Sequence, residues 1–484
     1  RSLGIKNLSV LIVNTKEATV AAYFGSQDFF DSSSLGQVDG IMARRSTGSL
    51  LKPFLTAKAL DRGPYVMESK LHDVPTFYGS FCPQNASKEY AGLVTMDQML
   101  VRSLNVPAVR LLYWYGVGDF YADLKKAHLS WLFRTPDGYG LTLILGGAEA
   151  SLWDLTNLFA GLGNLGLLHQ IQLLADTVSL QRAKSDTTRF CSEAAAWLVL
   201  NTLNNVMRPG SEFYWRFFAN QTPVAWKTGT SYGQKDAWAI GTNARFTVGV
   251  WTGNFDGEGN ASLGGAQSAG PVLFEICNAL SGKAPDQWFT KPEHDIRRVT
   301  VCRASGLSPS PFCIDTITAD QPACAYQSAV CPFHQRFLVD RKKGHTVCSQ
   351  CWGGADTAWV VRTIYPPSVR SILKQHGFAL DSLVRHNPRC PVPHTQKTIE
   401  LVYPVKDVSI IVPRNLKGEY EKIVFQAQYQ GGGARLFWYL DGSFLAETLE
   451  NHSVAVDLAG GKHRLVVQDE EGSTASVRFS SFRK

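Results

Sequence analysis

Three short groups of residues have types and spacings suited to chemistry, and they occur in one order: Ser49-Leu50-Leu51-Lys52, Ser103-Leu104-Asn105 and Lys227-Thr228-Gly229-Thr230. A serine hydroxyl is a weak nucleophile near neutral pH and needs a base within hydrogen-bond reach. A lysine three positions later on a helix projects from the same face. Lys52 can take a proton only as a neutral amine, which requires burial or a second positive charge, and Lys227 is the candidate for that charge. The chemistry these residues would support is acyl transfer through a serine ester.

The elements that must hold them are legible in outline. Gly48 permits close backbone approach, and SLLKPFLTAKAL from Ser49 to Leu60 has helix-compatible apolar spacing. Pro53 is tolerable because first-turn amides have no intrahelical partner. Ser49 would then sit at a helix N-terminus, where free N–H groups favour a developing oxyanion. Asn105 is also placed to help start the helix that Pro107 opens. Strands are expected at Leu8–Val13, Val224–Thr230 and Ala237–Thr252, with a turn at Gly233-Gln234 and a helix-rich stretch from Trp153 to Leu203. Ser-x-x-Lys alone carries little, since it recurs at Ser371 and Ser481, whereas Ser-x-Asn and Lys-Thr-Gly each occur once. Their combination and order carry the inference.

Similarity extends to Ala22-Tyr23-Phe24-Gly25-Ser26, to GQVDGIMARRSTGSLLKPF from Gly36, to LVRSLNVPAVRLL from Leu100, to LILGG from Leu143 and to WKTGTSYGQKDAWAIGTNARFTVGVWTGNFDG from Trp226. On these residues the chain resembles the transpeptidase part of class A, bifunctional penicillin-binding proteins of the 1C subtype. The likeness is close over residues 1–283 and looser beyond. Thr47 departs from the family's usual proline. The resemblance implies an α/β (α+β) fold of the penicillin-binding and serine β-lactamase type. It also implies attack by Ser49 on the penultimate D-Ala carbonyl of a peptidoglycan stem peptide, with Lys52 as base. Ser103 and Lys227 would pass a proton to the leaving amine, and Asn105 would bind the substrate amide or orient Lys52. The backbone amides of Ser49 and Thr230 would form the oxyanion hole, and the hydroxyls of Thr228 and Thr230, across Gly229, would hold the terminal carboxylate.

No cofactor is implied. β-Lactams would acylate Ser49, and none of Glu149, Glu193 and Glu212 has the context of a deacylating β-lactamase base. A penicillin-sensing or vestigial binding module and a D,D-carboxypeptidase remain the alternatives. The family further implies a periplasmic position, a membrane anchor and glycosyltransferase domain preceding this segment, and a bacterial α2-macroglobulin-like partner.

Composition fits a multi-domain folded chain: 484 residues, 44 % hydrophobic, net charge +7. No basic run with interleaved aromatics points to nucleic acid. Residues 284–395 form a Pro- and Cys-rich connecting region holding seven of the ten cysteines. Outside the cytoplasm disulfides are the default expectation. The spacing of Cys331 and His334 with Cys348 and Cys351 offers a zinc-ribbon alternative, and no metal is assigned. Cys82, Cys191 and Cys277 are expected as buried thiols. Residues 396–484 alternate as short strands, with turns at Asp441-Gly442, Gly460-Gly461 and Glu471-Gly472. They predict an all-β, Ig-like sandwich that resembles the C-terminal domain of 1C-type proteins.

Overall fold

The computed structural model describes residues 4–78, 81–129, 131–173, 187–210, 222–281, 288–326, 329–381, 385–391, 399–414, 419–430, 435–449, 451–470 and 473–483. The expected boundaries at 283/284 and 395/396, and the turn at Glu471-Gly472, lie outside the described residues.

The elements around the site are, in chain order, β1 (Asn7–Asn14), β2 (Val20–Phe24), α1 (Lys52–Arg62), β3 (Lys70–Asp73), α2 (Met96–Val101), α3 (Val106–Tyr115), α4 (Leu152–Gly163), α5 (Glu193–Asn204), β4 (Ala225–Thr230), β5 (Asp236–Thr242), β6 (Phe246–Gly253) and α6 (Gly270–Leu280). Five strands form one antiparallel sheet in the order β2-β1-β6-β5-β4, which leaves β4 at an edge. Both faces are covered. Val10 and Ile12 of β1 join a core with Leu273 and Phe274 of α6, while Leu11 and Val13 join the main core with Phe54 of α1 and Phe159 of α4. A sheet buried on both faces has near-continuous apolar strands, and every residue of β5 is buried.

That continuity explains one miss. The expected strand Ala237–Thr252 is two strands, parted where Asn243 Oδ1 accepts the N–H groups of Arg245 and Phe246 at 2.9 and 2.8 Å. A local Asx turn competes with the ladder there. The Gly233-Gln234 turn is present, with both residues at positive φ.

Residues 296–375 contain two antiparallel hairpins, Ile296–Cys302 with Thr316–Pro322 and His334–Asp340 with Thr357–Thr363, followed by a helix at Pro367–Gln375. Their apolar clusters are small. Beyond them a three-stranded and a five-stranded sheet share one core containing Phe425, Trp438, Leu465 and Phe479. Asp441 and Gly442 take positive φ in the expected hairpin turn.

Candidate active site

Ser49 precedes α1 in a tight turn in which Leu50 N–H donates to Thr47 O at 3.1 Å and Lys52 N–H to Ser49 O at 3.3 Å. The turn is anchored on two sides. Trp238 Nε1 donates to Ser46 O at 2.9 Å, and Ser46 Oγ donates to Gly146 O at 2.8 Å, which gives the LILGG run its role. Thr47 donates twice to Ala148 O, from its N–H at 3.1 Å and its Oγ1 at 3.2 Å. A proline could make neither bond. Gly48 stands at φ +53°, and a Cβ there would lie 2.6 Å from Thr230 N. The first and third motifs therefore meet at backbone distance, which only glycine allows.

The second motif is positioned by a helix end. Leu104 N–H donates to Met99 O at 2.9 Å and Ser103 N–H to Leu100 O at 3.2 Å, the Schellman pattern closing α2. Ser103 occupies the left-handed position usually given to glycine, at φ +54°. This aims its carbonyl and its hydroxyl at two different lysines. Lys52 Nζ donates to Ser103 O at 2.7 Å and to Asn105 Oδ1 at 2.8 Å, while Lys227 Nζ donates to Ser103 Oγ at 2.8 Å and to Thr228 O at 2.9 Å.

Both lysines are buried, at 0 % and 2 % exposure. Desolvation, and secondarily the charge of Lys227, hold the Lys52 ammonium well below its ordinary range. Burial brings Lys227 down to about 7. A neutral Lys52 has two N–H groups and one lone pair. Its two acceptors account for both hydrogens and leave the lone pair to receive a proton.

Asn105 does not start α3 with its side chain, contrary to that part of the sequence expectation. It makes no capping bond. Asn85 caps instead, its Oδ1 accepting from Asn105 N at 2.9 Å and Val106 N at 3.2 Å. Asn85 Nδ2 is held by Asp73 Oδ1 at 2.7 Å, and Asn105 Nδ2 donates to Gln84 O at 2.8 Å. Asp73 and Asn85 are positioning residues that sequence reasoning missed. Asp73 ends β3 and Asn85 lies in a loop without periodicity, and the pairing requires that loop folded back over twenty positions.

Just past β4, Ser231 N–H donates to Asp236 O at 3.0 Å. Antiparallel alternation then turns the backbone groups of Gly229 and Lys227 inward and those of Thr228 and Thr230 off the sheet edge. Thr230 Oγ1 accepts from Gly265 N at 3.2 Å, a tie the sequence did not reveal. The whole arrangement can present a nucleophile, a base, a hydroxyl relay and outward backbone donors to an extended acyl chain.

Elsewhere two expectations change. No described cysteine is joined to another, in place of the expected disulfides. The four residues of the zinc-ribbon alternative do not form one group. Cys331 and His334 gather with Cys302 and Cys313, whereas Cys348 and Cys351 gather with His386 and Cys390. Cys191 and Cys277 are buried as expected, and Cys82 is half-buried. No helix among the described residues is long and apolar enough to cross a membrane.

Comparison with known proteins identifies the family. Residues 8–257 match the penicillin binding protein transpeptidase domain, and residues 390–479 match the Penicillin-Binding Protein C-terminus Family. The chain is 29 % identical to penicillin-binding protein 1C of Escherichia coli K12 over 98 % of its own length and 61 % of that protein. It is 29 % identical to penicillin-binding protein 1F of Bacillus subtilis 168 over 59 % of its length and 40 % of that protein. The chain thus spans less than two thirds of these relatives. The fold is similar to that of penicillin-binding protein 1A from Haemophilus influenzae, with a TM-score of 0.54 and 19 % identity over 67 % of this chain and 54 % of that one. The chain belongs to the penicillin-binding protein transpeptidase family.

Proposed function

We propose that this chain is a serine D,D-transpeptidase that crosslinks peptidoglycan stem peptides and is acylated at Ser49 by β-lactams. The observation that carries the reading is the buried lysine pair sharing Ser103: Lys52 Nζ meets two acceptors, Ser103 O and Asn105 Oδ1, so that as a neutral amine it would keep its lone pair for the serine proton. Lys52 takes the Ser49 proton as Oγ attacks the carbonyl carbon. The oxyanion forms against the amides of Ser49 and Thr230. Lys227 then passes a proton through Ser103 Oγ to the leaving D-Ala nitrogen, and the C–N bond breaks. The terminal carboxylate lies by Lys227, Thr228 and Thr230. An acceptor amine from a second stem resolves the ester.

In this reading residues 1–283 carry the chemistry, 284–395 connect, and 396–484 form an Ig-like sandwich. In this reading the protein works outside the cytoplasm, where peptidoglycan lies.

The test is intact-mass spectrometry after incubation with a fluorescent penicillin, beside Ser49→Ala. One stable adduct on the wild type and none on the variant is expected. No adduct on folded wild type would sink the assignment. A peptide thioester offered with a D-amino acid acceptor then separates transfer from hydrolysis.

A further inference from the structure

Six of the seven cysteines between residues 302 and 390, with two of the four histidines there, gather in two compact groups that the transpeptidase reading leaves unused. In one, His334 Nδ1 lies 3.4 Å from Cys302 Sγ, 3.2 Å from Cys313 Sγ and 3.5 Å from Cys331 Sγ. In the other, Cys348 Sγ lies 3.8 Å from Cys351 Sγ and 3.6 Å from Cys390 Sγ, and Cys351 Sγ lies 3.2 Å from His386 Nε2. The ligand atoms of each group all lie within 4.8 Å of one another. The seventh cysteine, Cys324, is exposed and stands apart beside Asp61.

These spacings discriminate between chemistries. A disulfide needs sulfurs about 2.05 Å apart. A tetrahedral zinc ion, with Zn–S of about 2.3 Å and Zn–N of about 2.0 Å, needs edges of about 3.8 Å between sulfurs and about 3.5 Å from sulfur to nitrogen. The observed separations follow the second pattern. Three cysteines per group would also leave one odd thiol if two were bridged.

The surroundings are those of ligands. His386 Nδ1 is paired with Thr346 Oγ1 at 3.0 Å, which orients the ring with Nε2 toward Cys351 Sγ. Ser310 N–H donates to Cys313 Sγ at 3.2 Å, and Cys348 N–H donates to Cys351 Sγ at 3.3 Å. The region also needs staples, because its apolar clusters amount to a few side chains each, such as Val299, Val301 and Ala319 with Val66.

We propose that residues 302–390 hold two structural zinc ions, one on Cys302, Cys313, Cys331 and His334 and one on Cys348, Cys351, His386 and Cys390. Each ion displaces three thiol protons, leaving a site of net charge −1, and the four protein ligands close its coordination sphere. The first ion fixes the loop after Cys302. That loop is seated on the transpeptidase part: Lys70 N–H donates to Ser305 O at 2.9 Å, Ser69 Oγ donates to Gly306 O at 2.9 Å, and Gly306, at φ +66°, leaves no room for a Cβ against Ser69.

Metal analysis of the full chain, purified without chelator and compared with added zinc, tests this. Two zinc ions per chain are expected, and Cys313→Ser and Cys351→Ser each lower the count by one while Cys324→Ser leaves two. Penicillin labelling at Ser49 reports folding in each variant. Should a variant not fold, X-ray absorption on the wild type decides: a shell of three sulfurs at about 2.3 Å and one nitrogen at about 2.0 Å supports the sites, and an all-oxygen and nitrogen shell overturns them. Absence of zinc with a mass lowered by two hydrogens per bridge overturns the proposal in favour of disulfides, and two iron ions overturn the metal assignment. A single zinc ion overturns the site whose variant leaves the count unchanged.

Discussion

Replacing Asn105 with aspartate tests whether Lys52 works as a neutral amine. The change keeps size and shape, and it places a carboxylate where the amide oxygen now stands 2.8 Å from Lys52 Nζ. At an effective dielectric near 20, unit charges at that distance attract by about 6 kcal/mol, or about four pK units. Burial now lowers Lys52, and the new charge opposes it. The ascending limb of the acylation rate against pH should therefore move upward by as much as about four pH units, with a loss at pH 7 of up to about 10⁴-fold. Asn105→Ala supplies the contrast. It leaves one donor of Lys52 without its acceptor and the Gln84 carbonyl without its donor, which costs about 1–3 kcal/mol, or about 5- to 160-fold in rate, with the limb in place. The assay is the second-order acylation rate with a fluorescent penicillin between pH 5 and 10, with circular dichroism to confirm folding. Asn105→Asp acylating within tenfold of wild type at pH 7, on an unmoved limb, would refute the neutral-amine reasoning.

Other expectations follow from the same contacts. Lys227 titrates near 7 when folded and near 10.5 in an ordinary setting, so the unfolded chain binds the extra proton between those values and stability rises with pH across that window. From pH 7 to 9 the wild type should gain about 2 kcal/mol relative to Lys227→Met, read from urea midpoints; a flat difference would contradict the burial argument. Gly48→Ala pushes a methyl into Thr230 N and should cost at least about 100-fold in acylation by disturbing one oxyanion donor; an unchanged rate would remove Thr230 N from that role. Asn85→Ala uncaps α3 and leaves Asp73 Oδ1 without its donor, for a loss of about 2–3 kcal/mol in thermal or urea unfolding. Trp438→Ala empties the core shared by the two C-terminal sheets and should cost about 3–5 kcal/mol there, with Ser49 acylation unchanged; a parallel loss of acylation would show the two regions to be one cooperative unit.

What could be read from the sequence was the chemistry with short local signatures. Ser49 and Lys52 needed only helical spacing, and β4 announced itself by its apolar run and following turn. The parts not legible depend on distant pairings. Asn85 reaches Asn105 through a loop with no pattern, and Thr230 finds Gly265 across the fold. Ser103 was read as chemistry, and its seat at a glycine-type helix end was not, because serine is not the residue usually found there. The cysteines were recognised by type and mis-grouped by proximity in sequence. Cys331 and Cys348 are close along the chain, yet the hairpin starting at His334 sends them to opposite partners.

The edge position of β4 sets a limit on reach. Only alternate residues of an edge strand offer outward rungs, spaced about 7 Å apart. Thr228 and Thr230 are those rungs near Ser49, and the Thr228 carbonyl is already engaged by Lys227. A chain laid along this edge is therefore gripped over about two or three residues and then released to solvent. Under the proposed function, such an edge measures the terminus of a stem peptide with care while remaining indifferent to the length of glycan and peptide beyond it, a division suited to a polymer whose far end is never the same twice.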